Sequence, residues 1–115
     1  MKYEVFTTAQ AVADLRAIFE YIAYELMSGQ NALNQLDRLE KAIESLEEMP
    51  KRHQLYEKEP WKSRNLRFMP VDNYLVFYVA EAEEKKVTVI RIMYGRMDIE
   101  TQLKEYTAEE KDSDK

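Results

Sequence analysis

Arg64–Asp98, RNLRFMPVDNYLVFYVAEAEEKKVTVIRIMYGRMD, is the stretch on which the rest of the chain is arranged. It reads as three strands joined by two tight connections. Ser63–Met69 is the first, Pro70–Asn73 a turn, Tyr74–Ala80 the second, Glu81–Lys86 a charged hairpin loop, and Val87–Tyr94 a β-branched third. YLVFYVA carries no charge, so both of its faces should be covered. The flanking runs, RNLRF and VTVIRIMY, each place an arginine among apolar residues, which plain core strands rarely do.

Outward from that sheet, Lys51–Lys62 is a polar connection without periodicity, holding His53, Tyr56 and Pro60-Trp61. Trp61 reads as a plug over the end of the core and His53 as a surface loop residue. Before it lie two helical patterns. Val12, Leu15, Phe19, Ile22 and Leu26 recur at three- and four-residue steps, with Asp14, Arg16, Glu20 and Glu25 on the wet side. Thr7-x-x-Gln10 matches a capping box, starting this helix near Thr8. Ser28-Gly29 should stop it, with Gly29 left-handed.

Asn31 is placed to cap the second helix, whose apolar face is Leu36, Leu39, Ile43 and Leu46, and Pro50 ends it. Met27 and Met49 read as core filler, and Tyr21, Tyr24, Tyr74 and Tyr78 as residues where helix meets sheet. Lys2–Thr7 alternates as a short opening strand. Past Asp98 a weak helix runs to Tyr106 through Ile99 and Leu103, and residues 107–115 are too charged to pack. The order is β-α-α-β-β-β: an α+β fold, a helical hairpin packed on a small antiparallel sheet. Residues 1–106 form one domain and residues 107–115 an acidic, mobile tail.

A chain of 115 residues fits one domain and one modest core. No apolar run is long enough to span a membrane and MKYEVF is not a signal peptide, so the cytoplasm is the expected compartment. The net charge of −5 argues against strong non-specific binding to nucleic acid. It is uneven, however. Residues 1–49 carry 4 basic and 9 acidic side chains, whereas residues 50–104 carry 11 and 8.

With one histidine and no cysteine, neither a metal site nor a bound cofactor is expected, and the two glycines provide no phosphate loop. No Gly-x-Ser-x-Gly elbow supports a hydrolase. The remaining candidates are basic and phenolic. Arg67, Arg91 and Arg96 could share a concave side of the sheet, and Tyr94 could move a proton there if such cations faced it. Lys62 and Arg64 add positive charge, Arg64 and Arg67 falling on opposite faces of one strand. The same cluster suits phosphate binding, and the residues alone favour a structural role, with strand arginines pairing helix carboxylates such as Glu40 or Glu44.

The element order, the helix closing in LEEMP, and RNLRF, NYLVFY and VTVIRIMYGRMD together resemble the RelE/ParE superfamily over roughly residues 2–103. These are the toxins of bacterial type II toxin–antitoxin modules, implicated in plasmid stabilisation and growth inhibition. The resemblance implies a cognate antitoxin that wraps the toxin and can displace its C-terminal helix, and contact with operator DNA only through that antitoxin. It implies one of two mechanisms. RelE-like members cut messenger RNA on the ribosome with a cluster of basic side chains, whereas ParE-like members poison DNA gyrase.

The basic positions of the cleaving branch fall here on Ser63, Asn65, Leu75 and Met97, and its C-terminal tyrosine falls near Leu103. Cleavage through the 2′-hydroxyl needs cations on the developing phosphorane. The expectation is therefore a ParE-like toxin without RNA cleavage. Arg67, Arg96 and Tyr94 would be the site of the alternative nuclease, and a non-toxic binding partner of antitoxin and operator is the third reading.

Overall fold

The computed structural model describes residues 2–96 and 98–104. Strand β1, Glu4–Thr7, leads into helix α1, Ala9–Glu20, which continues as a π-helical turn over Tyr21–Glu25. Helix α2, Gly29–Glu44, runs on into a 3₁₀ turn over Ser45–Glu47, and a second follows at Pro50–Arg52. Strands β2, Arg67–Val71, β3, Tyr74–Glu81, and β4, Lys86–Tyr94, come next, and the last described residues, 99–104, are helical (α3). The α+β class and the β-α-α-β-β-β order are those read from sequence. The strand order is β1-β4-β3-β2, with β2, β3 and β4 antiparallel. Strand β1 joins β4 in parallel, so the sheet is mixed rather than wholly antiparallel.

Both faces of β3 are covered, as its uncharged sequence requires. On one side Val76 and Tyr78 pack with Met69, Val87, Val89 and Ile92 against Ala11, Leu39, Ile43 and Leu46 of the helical hairpin. On the other, Phe77 and Met93 meet Trp61, Leu66 and Leu103, with Tyr56, Phe68, Leu75 and Ile99 closing around them. Trp61 is thus a plug, seated in a second core rather than at the end of the first.

Local readings shifted where a cap or a turn fell one or two residues away. The α1 cap is Thr8, whose Oγ1 accepts from the Ala11 N–H at 3.1 Å. That start turns Ala11, Asp14, Leu15 and Ile18 toward the sheet and leaves Val12 exposed. The π-helical turn adds a residue to its last turn, which throws Tyr21, Tyr24 and Leu26 outward. Met27, not Gly29, takes the left-handed conformation (φ 51°), and Ser28 stands at the N-cap of α2 in place of Asn31, with Gly29 the first helical residue.

Met27 and Met49 are not core filler: they are 88% and 74% exposed, both with positive φ. Residues 63–65 form a turn rather than strand, with Asn65 left-handed, and Pro70 belongs to β2, on the sheet edge that tolerates its missing N–H. The β2–β3 turn reduces to Asp72-Asn73. The tail expected over 107–115 lies outside the described residues.

Candidate functional site

The arginine that looked out of place in VTVIRIMY is explained by a β-bulge. Phe77 pairs Arg91 while Tyr78 pairs Val89, so Ile90 is the extra residue. The bulge resets the alternation, returning Ile92 to the first core and Met93 to the second. It also lies beyond the last β1 pairing, Thr7 with Val89, where among the described residues β4 has no strand neighbour on that side. Helix α1 supplies the missing partner. Asp14 accepts from the Ile92 N–H at 2.9 Å, and from Arg91 Nε and Nη2 at 2.8 and 3.0 Å. Gln10 Nε2 donates a fourth bond to it at 3.2 Å. The Nη1 group of Arg91 reaches across to the Gln102 carbonyl of α3 at 3.4 Å.

This buried pair forms the floor of a groove of about 670 Å³ between the end of α1 and the ends of β3 and β4. Its walls are Ala17, Ile18, Tyr21, Leu26, Tyr74 and Tyr94. Tyr74 and Tyr94 meet edge-on with centroids 5.9 Å apart, and burial pushes the Tyr74 phenol above its ordinary value. Exposed Tyr24 and Met27 extend the apolar surface over the hairpin tip. A second groove, of about 900 Å³, runs beside β1, with Tyr3, Val5, Leu15 and Ile43 inside and Glu4, Glu40, Glu44 and Glu47 on its rim.

Of the residues singled out from sequence, Arg91 and Tyr94 line one groove. Arg67 stands two strands across the sheet, and its Nη1 donates to the carbonyls of Lys51 and His53 at 3.2 and 2.7 Å. Lys62 pairs with Glu57 at 3.4 Å. Arg64 sits exposed in the turn after Trp61, so it does not share a strand with Arg67, and Arg96 is exposed in the turn after β4. The carboxylate that pairs a strand arginine is Asp14, placed on the wet side by the sequence reading, and not Glu40 or Glu44. Tyr21 and Tyr24, expected where helix meets sheet, are exposed.

His53 is half-buried with its ring edge-on to Tyr78 at 6.3 Å; burial, helped by Arg52, lowers its proton affinity. Asp14, Tyr21, Leu26 and Met27 were missed as site residues. A lone carboxylate on an otherwise apolar helix face, matched by a lone arginine in an apolar strand, was the available signal. Among the described residues, no three His, Asp or Glu side chains are grouped to hold a metal ion, and no helix is long and apolar enough to cross a membrane.

The fold is that of the toxins of toxin–antitoxin complexes. The chromosomal ParDE toxin–antitoxin system of P. aeruginosa superposes with a TM-score of 0.66 at 18% identity, covering 81% of this chain and 96% of that one. The archaeal RelE–RelB complex of Pyrococcus horikoshii gives 0.58 at 16%, covering 84% and 98%, and the intact E. coli RelBE toxin–antitoxin complex 0.55 at 15%, covering 83% and 99%. No curated protein sequence matches the chain. A family model described as "ParE toxin of type II toxin-antitoxin system, parDE" matches residues 5–99. The chain belongs to the ParE toxin family of type II toxin–antitoxin systems.

Proposed function

We propose that this toxin arrests bacterial growth in the cytoplasm by docking on a protein target, DNA gyrase, rather than by cutting messenger RNA. The observation that carries this reading is the composition of the second sheet face. Leu75, at the position that the resemblance matches to an arginine of cleaving relatives, and Leu103, near the position of their tyrosine, pack into one apolar cluster with Trp61, Phe77 and Met93. A phosphorane forming there would meet hydrocarbon instead of cations. Arg67 and Arg91 are committed to backbone carbonyls and to Asp14, which supports the same reading.

A cognate antitoxin would take the two grooves and the hairpin tip, with an amphipathic segment against Tyr21, Tyr24, Leu26 and Met27. The hairpin half of the chain carries 4 basic and 9 acidic side chains, so that segment should have a basic rim. Gyrase assays with the purified toxin should show inhibited supercoiling and stabilised DNA breaks, and translating ribosomes should yield no new messenger ends. Ribosome-dependent cuts that vanish in Arg67→Ala would overturn the reading, and a negative result in both assays would leave a non-toxic binding partner.

A further inference from the structure

Along the outer edge of β2 runs a short strap, residues 50–55. The Gln54 carbonyl accepts from the Phe68 N–H at 3.2 Å, and Leu55 makes an antiparallel bridge with Arg67. The carbonyls of Lys51 and His53 accept from Arg67 Nη1 at 3.2 and 2.7 Å, and that of Pro50 accepts from the Tyr78 hydroxyl. Beyond the strap Tyr56 is anchored, its ring edge-on to Phe68 and Phe77 in the second core. A sheet edge covered in this way is closed to a further strand.

In the middle of the strap sits the sole histidine. The His53 ring meets Tyr78 edge-on at 6.3 Å, and among the described residues its buried Nε2 finds no hydrogen-bond partner. A neutral ring with its proton on Nδ1 leaves only an unused acceptor there, whereas an imidazolium places an N–H donor on Nε2. Burying that donor unpaired, and with a charge, costs far more. The groups around the ring do not compensate. Arg52, beside it in the strap, is a cation held in place by the carbonyls of Glu48 and Met49 and by Ser45 Oγ. From β2 comes Arg67, a second cation, and from β3 the Tyr78 phenol, whose hydroxyl is turned to Pro50.

We propose that residues 50–55 are an acid-released strap, with His53 as its trigger. While the ring is neutral the strap stays closed over β2. Protonation sets a cation with an unmet N–H beside two arginines, and the strap swings out on Tyr56. Its carbonyls leave Arg67, Phe68 and Tyr78 together. What acid uncovers is a strand edge with a guanidinium beside it, a surface that the neutral molecule does not offer.

The direction in pH follows from the closed state. Burial, and then Arg52, lower the proton affinity of the ring there, so closure is complete above the ordinary histidine value of 6.5 and is lost as pH falls below it. The device belongs to the chain itself and holds for any target or antitoxin.

The test uses the full chain without a partner. With one histidine present, proton NMR of the imidazole reads its charge directly. Hydrogen exchange of the Phe68 amide, expressed as a protection factor, reads the strap. The His53 midpoint should lie below 6.5, and Phe68 protection should fall severalfold between about pH 7 and about pH 5. Buried Val87 and Val89 of β4 should keep theirs. His53→Phe retains a ring against Tyr78 but cannot be charged, and His53→Gln lacks both, so the pair separates charge from packing. In both variants Phe68 protection should be level across that range. A midpoint at or above 6.5, pH-independent Phe68 protection in the parent, the same fall in either variant, or parallel loss at Val87 and Val89 would each overturn the strap.

Discussion

Asp14 does the work of a missing strand. Its four hydrogen bonds satisfy the Ile92 N–H and neutralise Arg91 where β4 outruns β1. Asp14→Ala leaves a guanidinium buried without a counter-charge, and the expected loss is about 3–5 kcal/mol by urea denaturation. Tyr78 carries a second residue-scale prediction. Its hydroxyl donates to the Pro50 carbonyl inside the first core, and burial pushes its phenol up to about 12. A phenol raised in the folded state stabilises fully below its unfolded value near 10, and that contribution disappears as pH climbs toward about 12. The stability gap between the parent and Tyr78→Phe, which is less stable at neutral pH because the Pro50 carbonyl loses its donor, should therefore narrow in urea titrations as pH rises above about 10.

At the scale of elements, α1 shows how one residue changes what a helix presents. The heptad-like spacing of Val12, Leu15, Phe19, Ile22 and Leu26 was visible in the sequence, but a π-helical turn was not, because nothing in the composition of YIAYE requires it. The hairpin tip with its exposed tyrosines and Met27 follows from that single insertion. Helix α2 was legible because its apolar spacing continues unbroken through Leu39, Ile43 and Leu46.

The joint between α2 and the β2–β3 turn titrates. Asp72 accepts from Arg38 Nε at 2.7 Å and Gln35 Nε2 at 2.9 Å, bonds that hold its carboxyl below the usual range. A depressed carboxylate stabilises above its unfolded value near 3.9 and ceases to do so as pH falls through the folded one. The stability gap between the parent and Asp72→Asn should therefore narrow on acidification; a gap independent of pH in urea titrations would show that Asp72 contributes nothing through its charge.

For the molecule as a whole, the sheet with two covered faces was readable from an uncharged β3 bracketed by polar turns. The occupant of the second face was not, because Tyr56, Trp61 and Leu66 come from a stretch with no period to read. The bearing of Leu75 on mechanism was legible through resemblance alone, and its meeting with Leu103 needed the fold. Restoring a nuclease-like cation with Leu75→Arg should lower stability by about 1–3 kcal/mol without creating ribosome-dependent cleavage, since the guanidinium would enter the Phe77–Met93 cluster. Thermal unfolding and messenger end mapping check the two halves separately.

The parallel pairing of β1 with β4 joins the first strand to the fourth across most of the chain. The Thr8 hydroxyl reaches the Ile90 carbonyl across 82 residues of chain, and among the described residues β1 pairs with no other strand. A growing polypeptide can close the helical hairpin early, since that contact is local. Its first strand must then wait, unpaired, until β4 has been synthesised, a matter of seconds at about 5–20 residues per second. Throughout that interval the nascent chain holds an open strand and the inner face of its hairpin, so the sheet closes only once β4 has emerged.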